Sequence, residues 1–67
     1  MDKHTRRIGD CLRTVPAGDV NFKSALDDAT TFMLRNALQV LETRPKGNLS
    51  RITAIRRELR RRGSAER

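Results

Sequence analysis

The sequence predicts an all-α protein: a small helical bundle in which a short N-terminal helix is followed by a long antiparallel helical hairpin ending in a basic helix. Three observations carry this. Apolar residues recur at i, i+3, i+4 and i+7 through most of the chain, the spacing of one helical face. Pro16-Ala17-Gly18 and Pro45-Lys46-Gly47 supply two breaks. Strand-like alternation is confined to Val20-Asn21-Phe22, too short to build a sheet. With 67 residues the chain forms a single domain, 1–67, near the size at which one core is marginal, so a partner subunit or a ligand is expected to add stability. The helices are placed near 3–14, 22–43 and 49–62, with residues 64–67 as a frayed tail.

In the first helix Ile8, Cys11, Leu12 and Val15 form the apolar stripe, and Asp2 and Arg6 are spaced to pair on the exposed side. Gly9 inside it costs about 1 kcal/mol relative to alanine. The second helix is expected to start between Asp19 and Ser24 and to run unbroken to about Thr43. Phe22, Leu26, Ala29, Met33, Ala37 and Val40 make its stripe, widened by Ala25, Phe32 and Leu41, and Lys23 with Asp27 supplies an i,i+4 pair. Its middle is apolar over more than half the girth, which suits burial against two neighbours or against a second subunit, and a homodimer or obligate partner complex is expected. In the third helix Ile52, Ile55 and Leu59 share a stripe. Asn48 or Ser50 is its N-cap candidate, and Gly63 stands where a left-handed cap favours glycine. Leu26, Met33, Ile52, Ile55 and Leu59 are expected to pack together across the hairpin.

Charge is unevenly placed. From Arg44 to the end there are nine Lys/Arg against Glu58 and Glu66, which accounts for the whole net charge of +7, whereas residues 1–43 are balanced. Twelve of the fifteen basic residues are arginine, whose forked donors match phosphate oxygens. The pattern predicts a non-enzymatic nucleic-acid-binding protein in which Arg51, Arg56, Arg57, Arg60, Arg61 and Arg62 of the last helix contact backbone phosphates. The plain alternative is a solvated face in an arginine-rich chain. Two other readings stand beside it. One is a small protein-interaction module, an inhibitor or adaptor of the kind a mobile element carries, that binds an acidic or helical partner. The other is a ribosome-associated RNA-binding hairpin. Phe22 and Phe32 are the only aromatic residues and both fall on the predicted stripe. Base stacking on exposed rings is therefore disfavoured, and duplex or folded nucleic acid is the expected partner.

Two stretches resemble known families. Ala37-Leu38, Gly47-Asn48-Leu49-Ser50-Arg51 and Leu59-Arg60-Arg61-Arg62-Gly63 look like the carboxy-terminal helix-turn-helix of the factor-for-inversion-stimulation family, with a shorter middle and without the turn between the two helices. Phe32-Met33-Leu34-Arg35 followed by Arg51-Ile52, Ile55 and Arg56-Arg57 is similar to the small helical-hairpin protein of the bacterial large ribosomal subunit. The first resemblance implies DNA, the second ribosomal RNA.

Other chemistries are not supported by the residues. His4 and Cys11 lie seven apart on one face but lack further ligands, and Asp27-Asp28, being adjacent in a helix, point ~100° apart. Asp27 and Asp28 read as solvated acids near a helix start. No nucleophile–base pair, metal set or phosphate-cradling glycine loop is present, so no cofactor, metal or enzymatic activity is expected. The single cysteine excludes an internal disulfide, and no apolar run approaches the ~20 residues of a membrane span. A cytoplasmic protein with no membrane partner is the expectation, since no apolar stretch follows the charged start.

Overall fold

A computed structural model describes residues 3–63, in which four helices and no strand are found: α1 (Lys3–Thr14), α2 (Val20–Asp28), α3 (Thr31–Glu42) and α4 (Leu49–Arg62). The all-α bundle is as the sequence predicts, and α1 and α4 fall on their expected bounds. The Asp2–Arg6 pair and the frayed tail at 64–67 lie outside the described residues.

The long second helix is not continuous. It ends at Asp28, and a new helix begins at Thr31. Local chemistry explains the break. Asp19 caps α2, its carboxylate accepting from the Asn21 N–H at 2.7 Å. Thr30 caps α3, its hydroxyl oxygen accepting from the Met33 N–H at 3.1 Å. Ala29 and Thr30 adopt extended backbone between them. Threonine hydrogen-bonds its own backbone as well outside a helix as in it, so it favours a cap over an interior position. Asp27 and Asp28 thus sit at the end of a helix rather than near its start, where the dipole opposes acids. The Lys23–Asp27 pair does not form.

The break also turns the buried face of the chain. Phe22, Ala25 and Ala29 are buried on one side of it; Leu34, Ala37 and Leu41 are buried on the other. Leu26 and Met33, expected in the centre of the core, are half-buried at its margin. Phe32 and Val40, expected on the apolar stripe, are exposed, Phe32 by 77%. The buried residues of α2 and α3, with Ala29 between them, make one core with Ile8 and Leu12 of α1 and Ile52, Ile55 and Leu59 of α4, so that every helix contributes. Packing runs α2 on α1, α1 on α3 and α3 on α4. The broad apolar girth of the 22–43 segment is therefore taken up inside the chain, by α1 and α4.

The α3–α4 connection turns at Gly47, whose φ of +85° is costly for a residue with a β-carbon. Asn48 holds the N-cap position of α4 without a side-chain cap bond; its amide instead donates to the Arg44 carbonyl at 2.7 Å. Gly63 closes α4 in the left-handed region at φ +74°, its N–H donating to the Leu59 and Arg60 carbonyls. No helix among the described residues is long and apolar enough to cross a membrane.

The two parts of the core differ in what they should cost to disturb. Leu59→Ala, at a site only 2% exposed, is expected to lower stability by about 2–5 kcal/mol. Thr30→Ala is expected to cost about 1 kcal/mol by loss of the cap alone. Equilibrium urea unfolding checks both; a loss at Thr30 below about 0.3 kcal/mol would show that the break is held by packing and not by its cap.

Candidate nucleic-acid interface

The six arginines singled out in the sequence all lie on α4, but the fold sorts them into three kinds. Arg51 and Arg62 stand near the two ends of the helix and reach across to other parts of the chain. Arg51 donates through one terminal nitrogen to the Val15 carbonyl at 3.1 Å and through the other to the Asn48 Oδ1 at 2.5 Å, while its Nε is buried without a partner. Arg62 donates to the Leu26 carbonyl at 3.1 Å and, through Nε, to Glu58 Oε2 at 2.8 Å. Val15 follows the last residue of α1, and Leu26 lies in the last turn of α2. Carbonyls at such places lack intrahelical donors, so both arginines satisfy backbone groups that a helix end leaves open.

Arg56 and Arg61 are exposed but paired. Arg56 bonds the Glu42 carboxylate at the end of α3. Arg61 forks onto Glu58, with Nε to Oε1 at 3.0 Å and a terminal nitrogen to Oε2 at 2.6 Å. Glu58 therefore receives two guanidiniums on one carboxylate. Its pKa is pulled down to about 2 from an ordinary value near 4.5, chiefly by the hydrogen bonds from Arg61 and then Arg62, against some opposing desolvation. The side chain is only 8% exposed. Arg61 is in turn held more firmly in its charged form, first by Glu58 and also by the nearby Asp27.

Arg57 and Arg60 are the third kind. Both are exposed, and neither makes a hydrogen bond or ion pair among the described residues. With Thr53 and Arg56 they line a shallow depression of about 200 Å³ on the outer face of α4. This surface offers three guanidiniums and a hydroxyl with no acid in its lining. One turn further along, Arg61 extends it.

Charge elsewhere is also segregated. The body that balances to zero in sequence divides in space into α1, with four bases against Asp10, and α2, where Asp27 and Asp28 face a single Lys23. His4 and Cys11 do share a crevice between α1 and α2, together with Asp28, but no hydrogen bond joins any two of them. No group of three or more His, Cys, Asp or Glu able to hold a metal occurs among the described residues.

Of the sequence-predicted set, then, Arg56, Arg57, Arg60 and Arg61 are brought together on one outer face, and Arg51 and Arg62 are turned to structural work. Helical spacing distinguishes the two groups only in part, since Arg57, Arg60 and Arg61 fall opposite the apolar stripe of Ile52, Ile55 and Leu59. Arg51 and Arg62 flank the apolar stripe, and that flanking position is the one sequence feature that separates them from Arg57 and Arg60. Arg56 flanks it too and stays outside. The helix-turn-helix likeness has no turn to match, because α4 is uninterrupted from Leu49 to Arg62. The two segments of the ribosomal-protein likeness do fall on α3 and α4, which pack together. No protein-family model, curated protein or solved structure matches the chain.

Two measurable outcomes come from this sorting. Arg51→Gln and Arg62→Gln should each cost about 1–3 kcal/mol, because a carbonyl loses its charged donor, whereas Arg57→Gln and Arg60→Gln should stay within about 0.5 kcal/mol of the parent. Thermal melts of the four variants check the ranking. The Glu58 carboxylate gives a pH signature. Its folded pKa is depressed, so its contribution is complete above the unfolded value near 4.5 and is lost as pH falls toward about 2. Stability should decline through that window, and Glu58→Gln should be less stable at neutral pH with a flatter acid limb.

Proposed function

We propose that this chain is a non-enzymatic nucleic-acid-binding protein that grips backbone phosphates with the outer face of α4. Arg57 and Arg60 are the primary contacts; Arg56 and Arg61 contribute beside them, and Thr53 adds a hydroxyl. The observation that carries the reading is the pair of exposed guanidiniums, Arg57 and Arg60, without partners among the described residues and set in a depression that no described acid lines. An arginine whose donors are already used brings little new to a phosphate; one whose donors are open brings a bidentate fork. The fold supports the same reading from behind. Arg51 and Arg62 anchor both ends of α4, so the helix presents its outer face in a fixed orientation and less ordering entropy opposes binding.

The interaction is chiefly electrostatic, so it is general over sequence and sensitive to salt. Cytoplasmic nucleic acid is the partner that suits a chain with one free cysteine and this charge. The expected second subunit or protein partner would meet the apolar points left by exposed Val20, Val40 and Leu49.

The test is a salt series. Arg57→Gln with Arg60→Gln should weaken binding to a duplex of arbitrary sequence by about tenfold or more at low salt. The log–log salt slope should fall by about 0.9 for each phosphate that is no longer neutralised. Melting temperature should not change. Arg→Lys at the same positions should retain most of the slope and lose part of the affinity if forked contacts matter. If the Gln pair binds as the parent does, α4 presents a solvated face, and an acidic protein partner becomes the better reading.

A further inference from the structure

Phe32 is expected in the core by its spacing, yet its ring is 77% exposed at the start of α3. It stands on the rim of a groove between α1 and α3, about 280 Å³ in volume. Gly9 and Met33 lie in the same groove, and Thr5, Arg6, Arg13 and Asn36 supply its polar lining. No acid lines it. Arg6 is exposed and has no ion pair or hydrogen bond among the described residues, and Arg13 shares its guanidinium with Asp10 at 2.9 Å. Gly9 has a use here. A β-carbon at that position would stand 3.1 Å from a terminal nitrogen of Arg13, so the glycine makes room for the guanidinium to lie back along α1. The helix-weakening residue of α1 thus coincides with the groove. None of these residues belongs to the α4 depression.

We propose that this groove receives one unpaired base of a nucleic-acid strand, stacked on Phe32, with Arg6 and Arg13 on its flanking phosphates and the Asn36 amide at its edge. The proposal rests on the nucleic-acid reading of α4 and adds a single-stranded element to it. An exposed ring costs apolar surface in water and offers a face to any base. Charge complementarity selects the occupant: the open guanidinium of Arg6, and that of Arg13 with one terminal nitrogen on Asp10 and its other donors open, stand beside a flat ring and match a base joined to phosphates. The size agrees, since the groove lies just under the ~300–1,000 Å³ range of small-ligand pockets and holds one planar group rather than a helix. The α1 helix, with four bases against one acid, extends the positive surface along which a strand would run. A strand junction, a bulge or a loop offers a duplex-like part to α4 and an unpaired base to Phe32.

The chain has no tryptophan or tyrosine, so Phe32→Trp introduces a sole indole reporter at the groove. Titration with a short oligothymidylate at low salt should quench its emission saturably. Arg6→Gln with Arg13→Gln in the same background should weaken that response. Phe32→Ala should lower single-strand affinity by about 5- to 150-fold, the fold-change of about one stacked base, while leaving duplex binding and melting temperature unchanged. Unquenched tryptophan, or single-strand affinity of Phe32→Ala within about twofold of the parent, overturns the groove assignment and leaves duplex binding at α4 standing. Loss of all nucleic-acid binding in the parent overturns both readings. Quenching by an acidic amphipathic peptide but not by oligothymidylate assigns the groove to a protein partner, and concentration-dependent sedimentation abolished by Phe32→Ala assigns it to a second copy. Either result overturns the proposal.

Discussion

The fold depends on the two guanidiniums with which α4 reaches across the molecule. A chain of short helices leaves open carbonyls wherever a helix stops, and this one stops twice within its first 28 residues. Arg51 reaches the Val15 carbonyl after the first stop, and Arg62 reaches the Leu26 carbonyl before the second. Each bond joins residues 36 positions apart. The helix whose charge marks it as an appendage for a partner is thus the strut to which both breaks are tied. Bonds to charged donors are worth about 1.5–3 kcal/mol, a large share of the net stability of a domain this small.

This dual use explains how so much like charge is tolerated on one helix. Six arginines on fourteen residues repel one another, most of all at i, i+4 spacing. Glu58 relieves part of that by facing Arg61 and Arg62 together, and Glu42 draws Arg56 toward α3. The cations in the last turn are also stabilised by the helix dipole. What remains uncompensated is concentrated on Arg57 and Arg60.

Much of the fold was legible from composition and spacing, because α1 and α4 carry their own boundary chemistry: Pro16 beyond one and Gly63 after the other. The break at 29–30 was hidden by the apolar residues around it. Phe22, Leu26, Ala29 and Met33 keep helical spacing straight through the interruption, so periodicity alone draws one long helix. The break is written instead in Thr30, which periodicity passes over, and in the Asp27-Asp28 pair, which spacing places near a helix start and which stands at a helix end. Its consequences spread along the chain. Once α3 is rotated relative to α2, Leu34 takes the core position and Phe32 turns outward. Of the candidate site, the helix and the outward side of Arg57, Arg60 and Arg61 were legible from helical spacing; which of the flanking arginines, Arg51, Arg56 and Arg62, turn to structural work was not, since that is set by the carbonyls of Val15 and Leu26, which no local pattern reveals.

The same rotation changes what kind of partner the surface suits. A chain with both phenylalanines buried would present only charge, and charge alone favours any regular phosphate array. With Phe32 outside, a second surface combines a ring with two arginines on α1 and α3, while the array of guanidiniums remains on α4. A uniform duplex would satisfy the α4 array and leave the Phe32 groove in water. A polyanion with both paired and unpaired segments satisfies the two together, and the gain is multiplicative when one chain engages both, because the second contact is made at high effective concentration. The separation of the two faces therefore follows from the break at Ala29 and Thr30. Where the chain breaks decides which phenylalanine is core, and on the proposed reading that decides whether a nucleic acid would be met through phosphate alone or through phosphate together with a base.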